Sequence, residues 1–338
     1  MEGGRMVVKM SFACLREMFR SFLDVFWLRF LQTSFLHKFI AYCFKILLAP
    51  FIFLRFFYLR FLLLRIPYLP QLSLDITSHC TLNCRYCCAL LPYDKNRRHS
   101  SKEEILEDIH CLLQVVQKIG SLHILGGEAL LHPDLPEIME NLIKIARINE
   151  IHLITNGSLL PSAELLNVLR NPKVSVEISD YINVQNRCNE VFQCFKKESI
   201  HVSFRILSWQ NLHFSPSKKR TGKQLKEIFD RCCSKTCLNL RDGIFTRCQS
   251  ACHLMEIGMV PYKLGDFVNI RHSGSREERK RILSELENLL FNKKFLQACD
   301  YCDGYYKDGD LIPVAEQLPS GTFLSLQDEN SEGVRDNG

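Results

Sequence analysis

The sequence predicts an α/β fold built around a parallel β-sheet. Short apolar runs with strand character alternate with longer runs in which apolar residues recur at helical spacing. The strand candidates are residues 72–77, 122–125, 151–155, 174–178 and 201–207. The helix candidates are residues 102–119, opened by Ser100 or Ser101 as the cap, 135–148, 162–169 and 186–197. Such alternation is typical of β-α units, whose strands pair in parallel.

The positions of the polar motifs support this fold. A cysteine-rich loop follows the first predicted strand, Gly126-Gly127-Glu128 follows the second, and Thr155-Asn156-Gly157 follows the third. In parallel sheets, ligands bind beyond the carboxyl ends of the strands. We therefore expect the three motifs to meet at one edge of the sheet.

The N-terminal segment has a different composition. Residues 1–70 contain ten Lys or Arg and three acidic residues, a net charge of +7, so the rest of the chain carries −1 of the total +6. The longest uncharged run is the nine residues 46–54, whereas a helix needs roughly 20 apolar residues to span a bilayer. We predict a helical extension over residues 1–69, of which 10–69 either lie on a membrane surface or pack on protein. Nothing in the charge pattern indicates that the remainder binds nucleic acid.

The loop after the first predicted strand carries Cys80, Cys84 and Cys87 in a C-x3-C-x2-C pattern. This spacing lets three thiolates reach one small cluster. A 4Fe–4S cluster has four irons held by thiolates, so three protein ligands leave one iron open to a small-molecule chelator. Zinc is the alternative, although structural zinc sites usually have four protein ligands and paired C-x2-C motifs.

The three cysteines, followed by Gly126-Gly127-Glu128 after the second strand, resemble the radical S-adenosylmethionine (radical SAM) superfamily. The resemblance implies that Cys80, Cys84 and Cys87 bind a 4Fe–4S cluster whose open iron chelates SAM. It implies cleavage of SAM to methionine and a 5'-deoxyadenosyl radical, which abstracts a substrate hydrogen. It also implies an incomplete (β/α)6 barrel of the TIM type within residues 70–215, and an external electron donor such as flavodoxin or ferredoxin.

The same resemblance assigns SAM-binding roles to residues in the cysteine loop and at the strand ends. It places Tyr86 near the adenine, and Gly126, Gly127 and Glu128 at the methionine amino group. It places Asn156, Ser179 and Arg205 at the ribose or the carboxylate. Ala129 departs from the family, in which a proline often follows the Gly-Gly-Glu. A turn or a helix cap is the alternative role for the polar residues after the third and fourth strands.

A second group of cysteines occupies the C-terminal third: Cys232, Cys233, Cys237, Cys248, Cys252, Cys299 and Cys302. Asp242-Gly243 between short apolar stretches predicts a β-hairpin, which would bring the cysteines at its two ends together. A returning Cys299-x2-Cys302 could complete a four-thiolate site.

This arrangement is similar to the SPASM domain in its shortened form, called twitch, here over residues 216–318. The resemblance implies an auxiliary 4Fe–4S cluster. We predict Cys248, Cys299 and Cys302 as ligands, with Cys232 and Cys237 sharing the remaining position and Cys233 a further candidate. A structural zinc ribbon is the alternative.

Other residues near the motifs receive less specific roles. No helical pair at metal spacing links the histidines, which are interpreted as structural: His79, His123, His132 and His253. Residues 276–292 predict an amphipathic helix leading to Cys299. The polar residues 319–338 predict a disordered tail.

The sequence therefore predicts a radical SAM enzyme of the oxidoreductase or isomerase type. Because its cluster would be sensitive to oxygen, we expect it in the reducing cytoplasm, either free or at the inner face of the membrane. The favoured reaction is dehydrogenation or epimerisation of a carbohydrate or a lipid-linked sugar. One alternative is a peptide-modifying enzyme that acts on ribosomal peptides or sulfatases, and another is a zinc-binding interaction protein without catalysis.

Overall fold

The centre of the molecule is an eight-stranded sheet with the strand order β5-β4-β3-β2-β1-β6-β7-β8. The computed structural model describes residues 48–51, 54–55, 66, 68–181, 187–206, 208–263, 265–271 and 274–325. The strands are β1 (Leu69–Asp75), β2 (Ile119–Leu125), β3 (Ile148–Thr155), β4 (Val174–Asp180), β5 (Val202–Ile206), β6 (Asn239–Arg241), β7 (Ile244–Thr246) and β8 (Phe267–Asn269). The pairs along β5-β4-β3-β2-β1-β6 are all parallel. The predicted α/β fold is thus confirmed.

Helices connect the parallel strands and continue beyond them. They are α1 (Lys102–Val115), α2 (Leu135–Lys144), α3 (Ala163–Leu169), α4 (Cys188–Lys197), α5 (Gly222–Arg231), α6 (Gln249–Glu256) and α7 (Arg276–Glu287). The N-cap of α1 is Ser101, which forms a capping box with Glu104 and so satisfies two backbone N–H groups that the first turn leaves free. The helix ends before residue 119, because Val116 already pairs in parallel with Ile66. Local cap chemistry therefore predicts its start better than its end.

Alternate residues of the strands form the hydrophobic core with the helices. The strand residues Leu122, Ile124, Ile151, Leu153 and Val176 are completely buried. They belong to one core cluster with the apolar side chains of α1 to α4. Alternation of this kind leaves the other face of the sheet free for polar side chains.

The predicted hairpin is present and extends the same sheet. Asp242 and Gly243 have φ values of 49° and 78°, as a two-residue turn between antiparallel strands requires. Strand β6 pairs in parallel with β1, while β7 pairs with β8 on the far side. Residues 70–210 thus contain five parallel strands, and the sixth parallel strand comes from the hairpin. The division of the chain at residues 215 and 216 stays a prediction.

Two further predictions concern the N-terminal extension and the C-terminal tail. Most of the predicted extension 1–69, including most of the proposed membrane-surface segment, lies outside the described residues. Among the residues that are described, no helix is long and apolar enough to cross a membrane. Residues 319–325, assigned above to the tail, pack on the cysteine loop: Asn83 Nδ2 donates to the carbonyl of Thr322 at 2.9 Å. The described chain therefore packs on the cysteine loop past the predicted boundary at residue 319, and residues 326–338 lie outside the described part.

Candidate functional site

The Gly126-Gly127 backbone lies directly against the start of the cysteine loop. The Gly127 amide donates to the carbonyl of Thr77, and the Glu128 amide donates to the carbonyl of His79, both at 2.8 Å. A Cβ on Gly126 would lie 2.3 Å from the oxygen of Thr77, and one on Gly127 would lie 2.3 Å from the oxygen of His79. Only glycine therefore allows the second strand to brace the loop that follows the first.

Three thiols of the loop converge on one cavity of about 100 Å³ at the carboxyl edge of the sheet. Cys80, Cys84 and Cys87 line it together with the adjacent Cys88 and with Gly126, Gly127, Asn156, Tyr181, Trp209 and Gln249. The predicted meeting of motifs after β1, β2 and β3 is observed. Within the described residues no three His, Cys, Asp or Glu side chains close on the position of a single metal ion; the thiols surround a space instead.

Several N–H groups point at the sulfur atoms. Cys80 Sγ accepts from the amide of Leu82 at 3.4 Å and from Asn156 Nδ2 at 3.6 Å. Cys84 Sγ accepts from Gln317 Nε2 at 3.1 Å. Hydrogen bonds of this kind stabilise thiolates and tune the reduction potential of iron–sulfur clusters. The donor set therefore fits a cluster held by thiolates.

The electrostatics of the cavity also fit a cluster held by thiolates. Burial raises the pKa of both Cys80 and Cys84 to about 12, and the neighbouring Cys87 thiol adds to both shifts. Deprotonating three close thiols without a cation is therefore unfavourable. Bound iron would supply the positive charge that stabilises the thiolates.

The side chain of Glu128 connects the ends of two neighbouring strands, and its predicted role at the methionine amino group stays a prediction. Its carboxylate is buried and accepts from the amide of Asn156 at 2.7 Å, from the amide of Leu130 at 3.0 Å and from Thr155 Oγ1 at 2.8 Å. Burial raises its pKa. It does not line the cavity; it joins the end of β2 to the end of β3 and so positions Asn156.

The remaining residues predicted to bind SAM are spread around the cavity. Asn156 lines it and donates to Thr81 Oγ1 at 3.0 Å as well as to Cys80. Tyr86 and Ser179 do not line it, and Ser179 is buried at the end of β4. Arg205 lies half-exposed on β5, 3.7 Å from the carboxylate of Glu177.

Sequence reasoning missed four residues at this site: Tyr181, Trp209, Gln249 and Gln317. Tyr181 directly follows β4, so its position after a strand was a usable signal. Gln317 reaches the loop because residues 316–318 pair with it, through the amide of Arg85 to the carbonyl of Glu316 and the amide of Leu318 to the carbonyl of Asn83. No local pattern marks that long-range contact.

Cys248, Cys299 and Cys302 line a second cavity, whose other walls are largely apolar. Burial raises the pKa of Cys299 to about 11 and that of Cys302 to about 12, and the nearby Cys232 thiol adds to both shifts. Amides again face sulfur: Gly304 donates to Cys302 at 3.3 Å, and Tyr305 donates to Cys232 at 3.4 Å. Four thiols thus share one neighbourhood, as a four-thiolate site requires.

Cys237 and Cys233 are placed differently. None of Cys232, Cys233 and Cys237 lines the second cavity. The Cys232 thiol acts electrostatically on all three thiols that do line it. Cys237 is exposed, and its charge acts on Cys88, which lines the first cavity. The geometry therefore favours Cys232 over Cys237 as the fourth member of the second group.

Arg220 fixes the turn that carries Cys299 and Cys302. Its Nη1 donates to the carbonyl oxygens of both cysteines, at 2.9 and 2.8 Å. Its Nη2 forms an ion pair with Asp303, which also binds Lys218 at 2.7 Å. The two thiols are thus presented by a braced turn.

The part of the chain that carries the first site matches a known protein family. Residues 74–187 match the family described as the radical SAM superfamily. The GTP 3',8-cyclase of Aquifex aeolicus is 33% identical over 96 residues, which cover 27% of this chain and 29% of the relative. The probable GTP 3',8-cyclase of Methanocaldococcus jannaschii is 33% identical over 176 residues, which cover 48% of this chain and 54% of the relative. These matches span less than two thirds of either relative.

Among solved structures, anSMEcpe with bound AdoMet has a TM-score of 0.45 and 16% identity, covering 79% of this chain and 97% of that one. The match over residues 74–187 includes Cys80, Cys84, Cys87 and Gly126-Gly127-Glu128. The chain therefore carries a radical SAM domain, whose family uses a 4Fe–4S cluster and S-adenosylmethionine as cofactors.

Proposed function

We propose that Cys80, Cys84 and Cys87 hold the 4Fe–4S cluster and that the chain is an enzyme that abstracts a hydrogen atom from its substrate. The observation that carries this proposal is the convergence of the three thiols, the Gly126-Gly127 backbone and Asn156 on one cavity. An external one-electron donor of the flavodoxin or ferredoxin type would supply the reducing electron.

When bound, the reduced cluster supplies the electron that cleaves SAM to methionine and a 5'-deoxyadenosyl radical. The chain itself contributes orientation and protection. Asn156 and Gln317 direct N–H groups at Cys80 and Cys84, so the sulfur atoms are held in defined positions. Tyr181 and Trp209, packed edge to face at 5.7 Å, form an aromatic wall of the cavity. Such a wall limits the access of water to reactive species.

We further propose an auxiliary 4Fe–4S cluster on Cys232, Cys248, Cys299 and Cys302. Its support is the shared neighbourhood of the four thiols and the two amides that face them. This cluster could accept an electron from a substrate radical, which would allow a net two-electron oxidation. A zinc ion is the alternative occupant, because C-x2-C pairs also bind zinc.

We propose that the reaction is dehydrogenation or epimerisation of a carbohydrate or a lipid-linked sugar. Peptide modification is the alternative. GTP is a further substrate to test, since the relatives above are named as GTP 3',8-cyclases.

The test is anaerobic reconstitution of the full chain with iron and sulfide. We expect roughly eight irons per chain and release of 5'-deoxyadenosine from SAM under strong reductant. Replacing Cys80, Cys84 and Cys87 together by alanine should abolish this release, and replacing Cys299 and Cys302 should leave about half the iron. Cys194→Ala, on α4 and away from both cavities, is the matched control. A protein that binds stoichiometric zinc and leaves SAM intact would overturn the proposal.

A further inference from the structure

A row of polar side chains crosses five adjacent strands of the sheet, one residue from each. We call Gln71, His123, His152, Glu177 and Arg205 the polar row. Gln71 Nε2 lies 3.4 Å from His123 Nδ1, and the rings of His123 and His152 lie 4.9 Å apart. His152 Nδ1 lies 3.4 Å from Glu177 Oε1, and Arg205 Nη1 lies 3.7 Å from Glu177 Oε2. The contacts show that all five side chains lie on one face.

That face is opposite the helices. Residues that alternate with the polar row, such as Leu122, Ile151 and Val176, are completely buried in the core with α1 to α4. The polar row instead stays accessible: the side chains of His152, Glu177 and Arg205 are 20%, 24% and 45% exposed. The polar row thus presents its donors and acceptors on an open face.

The polar row contains both acidic and basic groups. The hydrogen bond with Glu177 raises the pKa of His152, and the same bond lowers the pKa of Glu177. Burial lowers the pKa of His123 to about 4, so this ring is neutral at pH 7 and both donates and accepts. Glu150, 3.6 Å from His152, adds a second carboxylate. Two carboxylates therefore face one guanidinium and one histidine, so the polar row has no excess of positive charge that would select an anion.

Hydroxyl groups are what such a surface can bind. Each hydroxyl both donates and accepts, and the polar row offers carboxylate and imidazole acceptors beside imidazole, amide and guanidinium donors. Ser121 and Ser175 add hydroxyls at 3.1 and 2.8 Å from the two histidine rings. A surface of mixed donors and acceptors without excess positive charge suits several hydroxyls on one small ring.

The polar row also lies within a short distance of the first cavity, measured along the strands. Gly126, Asn156 and Tyr181 of the first cavity directly follow β2, β3 and β4, and they come three or four residues after His123, His152 and Glu177. At roughly 3.3 Å per residue, the separation along the strands is about 10 to 13 Å. One sugar unit with a substituent is long enough to touch both.

We propose that the polar row binds the sugar ring of a carbohydrate substrate and holds it below the SAM cavity. This inference rests on the proposed function and names the residues that would hold its substrate. Arg205 then serves the substrate rather than SAM. The sugar could be free or part of a nucleotide conjugate, and both sources share the hydroxyl chemistry.

The test is equilibrium binding to the reconstituted full chain, followed by ligand-observed saturation-transfer NMR. The probes are glucose, UDP-glucose and UMP. We expect saturation on the sugar protons of glucose or UDP-glucose, and about tenfold weaker binding in Glu177→Gln and Arg205→Gln, because each loses a charged hydrogen-bond partner. Glu198→Gln, on the far end of α4 in an exposed ion pair with Arg170, is the matched control. Arg205 is half-exposed, so its variant keeps the test decisive if Glu177→Gln does not fold.

Each outcome decides the inference. Binding of glucose alone identifies a free sugar, and binding of UDP-glucose alone identifies a conjugate. Equal binding of UMP and UDP-glucose, equal affinity in all variants, or no saturable binding of any probe would overturn it. Iron content and 5'-deoxyadenosine release from the same preparation report separately on the proposed function.

Discussion

Gly127→Ala should dislodge the cysteine loop. The new Cβ would lie 2.3 Å from the carbonyl oxygen of His79 and 3.0 Å from the Cβ of Cys80. Real Cβ atoms essentially never approach another atom within 3.0 Å, so the loop must move by at least 0.7 Å. The atoms in the way are backbone atoms, which cannot rotate aside as a flexible side chain can.

The expected cost follows from this overlap. Overpacking of a closed site typically costs about 1 to 3 kcal/mol. The movement also strains the 2.8 Å hydrogen bonds from Gly127 to Thr77 and from Glu128 to His79. We expect a loss of about 2 kcal/mol of unfolding free energy and a loss of iron from the first site, because Cys80 moves with the loop.

The assay is urea unfolding of the protein together with iron analysis after anaerobic reconstitution. Gly222→Ala is the matched control, since its new Cβ meets nothing closer than 3.9 Å at the start of α5. That variant should keep its stability and its iron. If Gly127→Ala matched the wild type in both measurements, the bracing role of the glycine pair would be refuted.

Three further predictions concern single side chains. The folded pKa of His123 lies near 4, below the ordinary value of 6.5. The neutral ring therefore stabilises the fold above pH 6.5, and up to about 3 kcal/mol of unfolding free energy is lost as the pH falls toward 4. His123→Gln should flatten that part of the curve of unfolding free energy against pH, measured by urea titration. Gln317→Ala removes the 3.1 Å N–H···S contact to Cys84 and should make the reduction potential of the first cluster more negative in redox titrations monitored by EPR. Ser101→Ala removes the capping box of α1 and should cost about 1 kcal/mol by thermal or urea unfolding.

The first two of these predictions each have a contradicting result. An unchanged acid limb in His123→Gln would mean that the ring is not held neutral by burial. A potential equal to that of the wild type in Gln317→Ala would mean that the contact does not reach the cluster. Asn141→Ala, an exposed amide on α2, serves as a surface control for all three measurements.

What could be predicted from the sequence is what short-range physics dictates. The Asp242-Gly243 hairpin, the cap of α1 and the meeting of the cysteine loop with Gly126-Gly127 all follow from local chemistry or from parallel β-α connectivity. The position of β6 beside β1 could not be predicted, because edge pairing of a three-residue strand has no local signal. The proposal of Cys232 rather than Cys237 as a ligand also required the fold, since spacing permits both.

The polar row shows that the same limit of sequence analysis applies to candidate functional residues. His123 was interpreted as structural because no helical partner lies at metal spacing, yet its neighbours come from other strands. His152 and Glu177 are 29 and 54 residues away in the sequence, and only the register of β2, β3 and β4 brings them into line. Alternating strand residues mark which side chains share a face, but not which of them touch.

The junction of β7 and α6 relates the two cysteine sites. Cys248 lines the second cavity, whereas the next residue, Gln249, lines the first and donates to Asp75 Oδ1 at 3.4 Å. Ser250 then faces the second cavity and donates to the carbonyl of Cys88 at 3.1 Å. Because consecutive Cα atoms are about 3.8 Å apart, one turn of backbone forms a wall of both cavities. The hairpin that extends the sheet is therefore also what brings the second group of thiols next to the first.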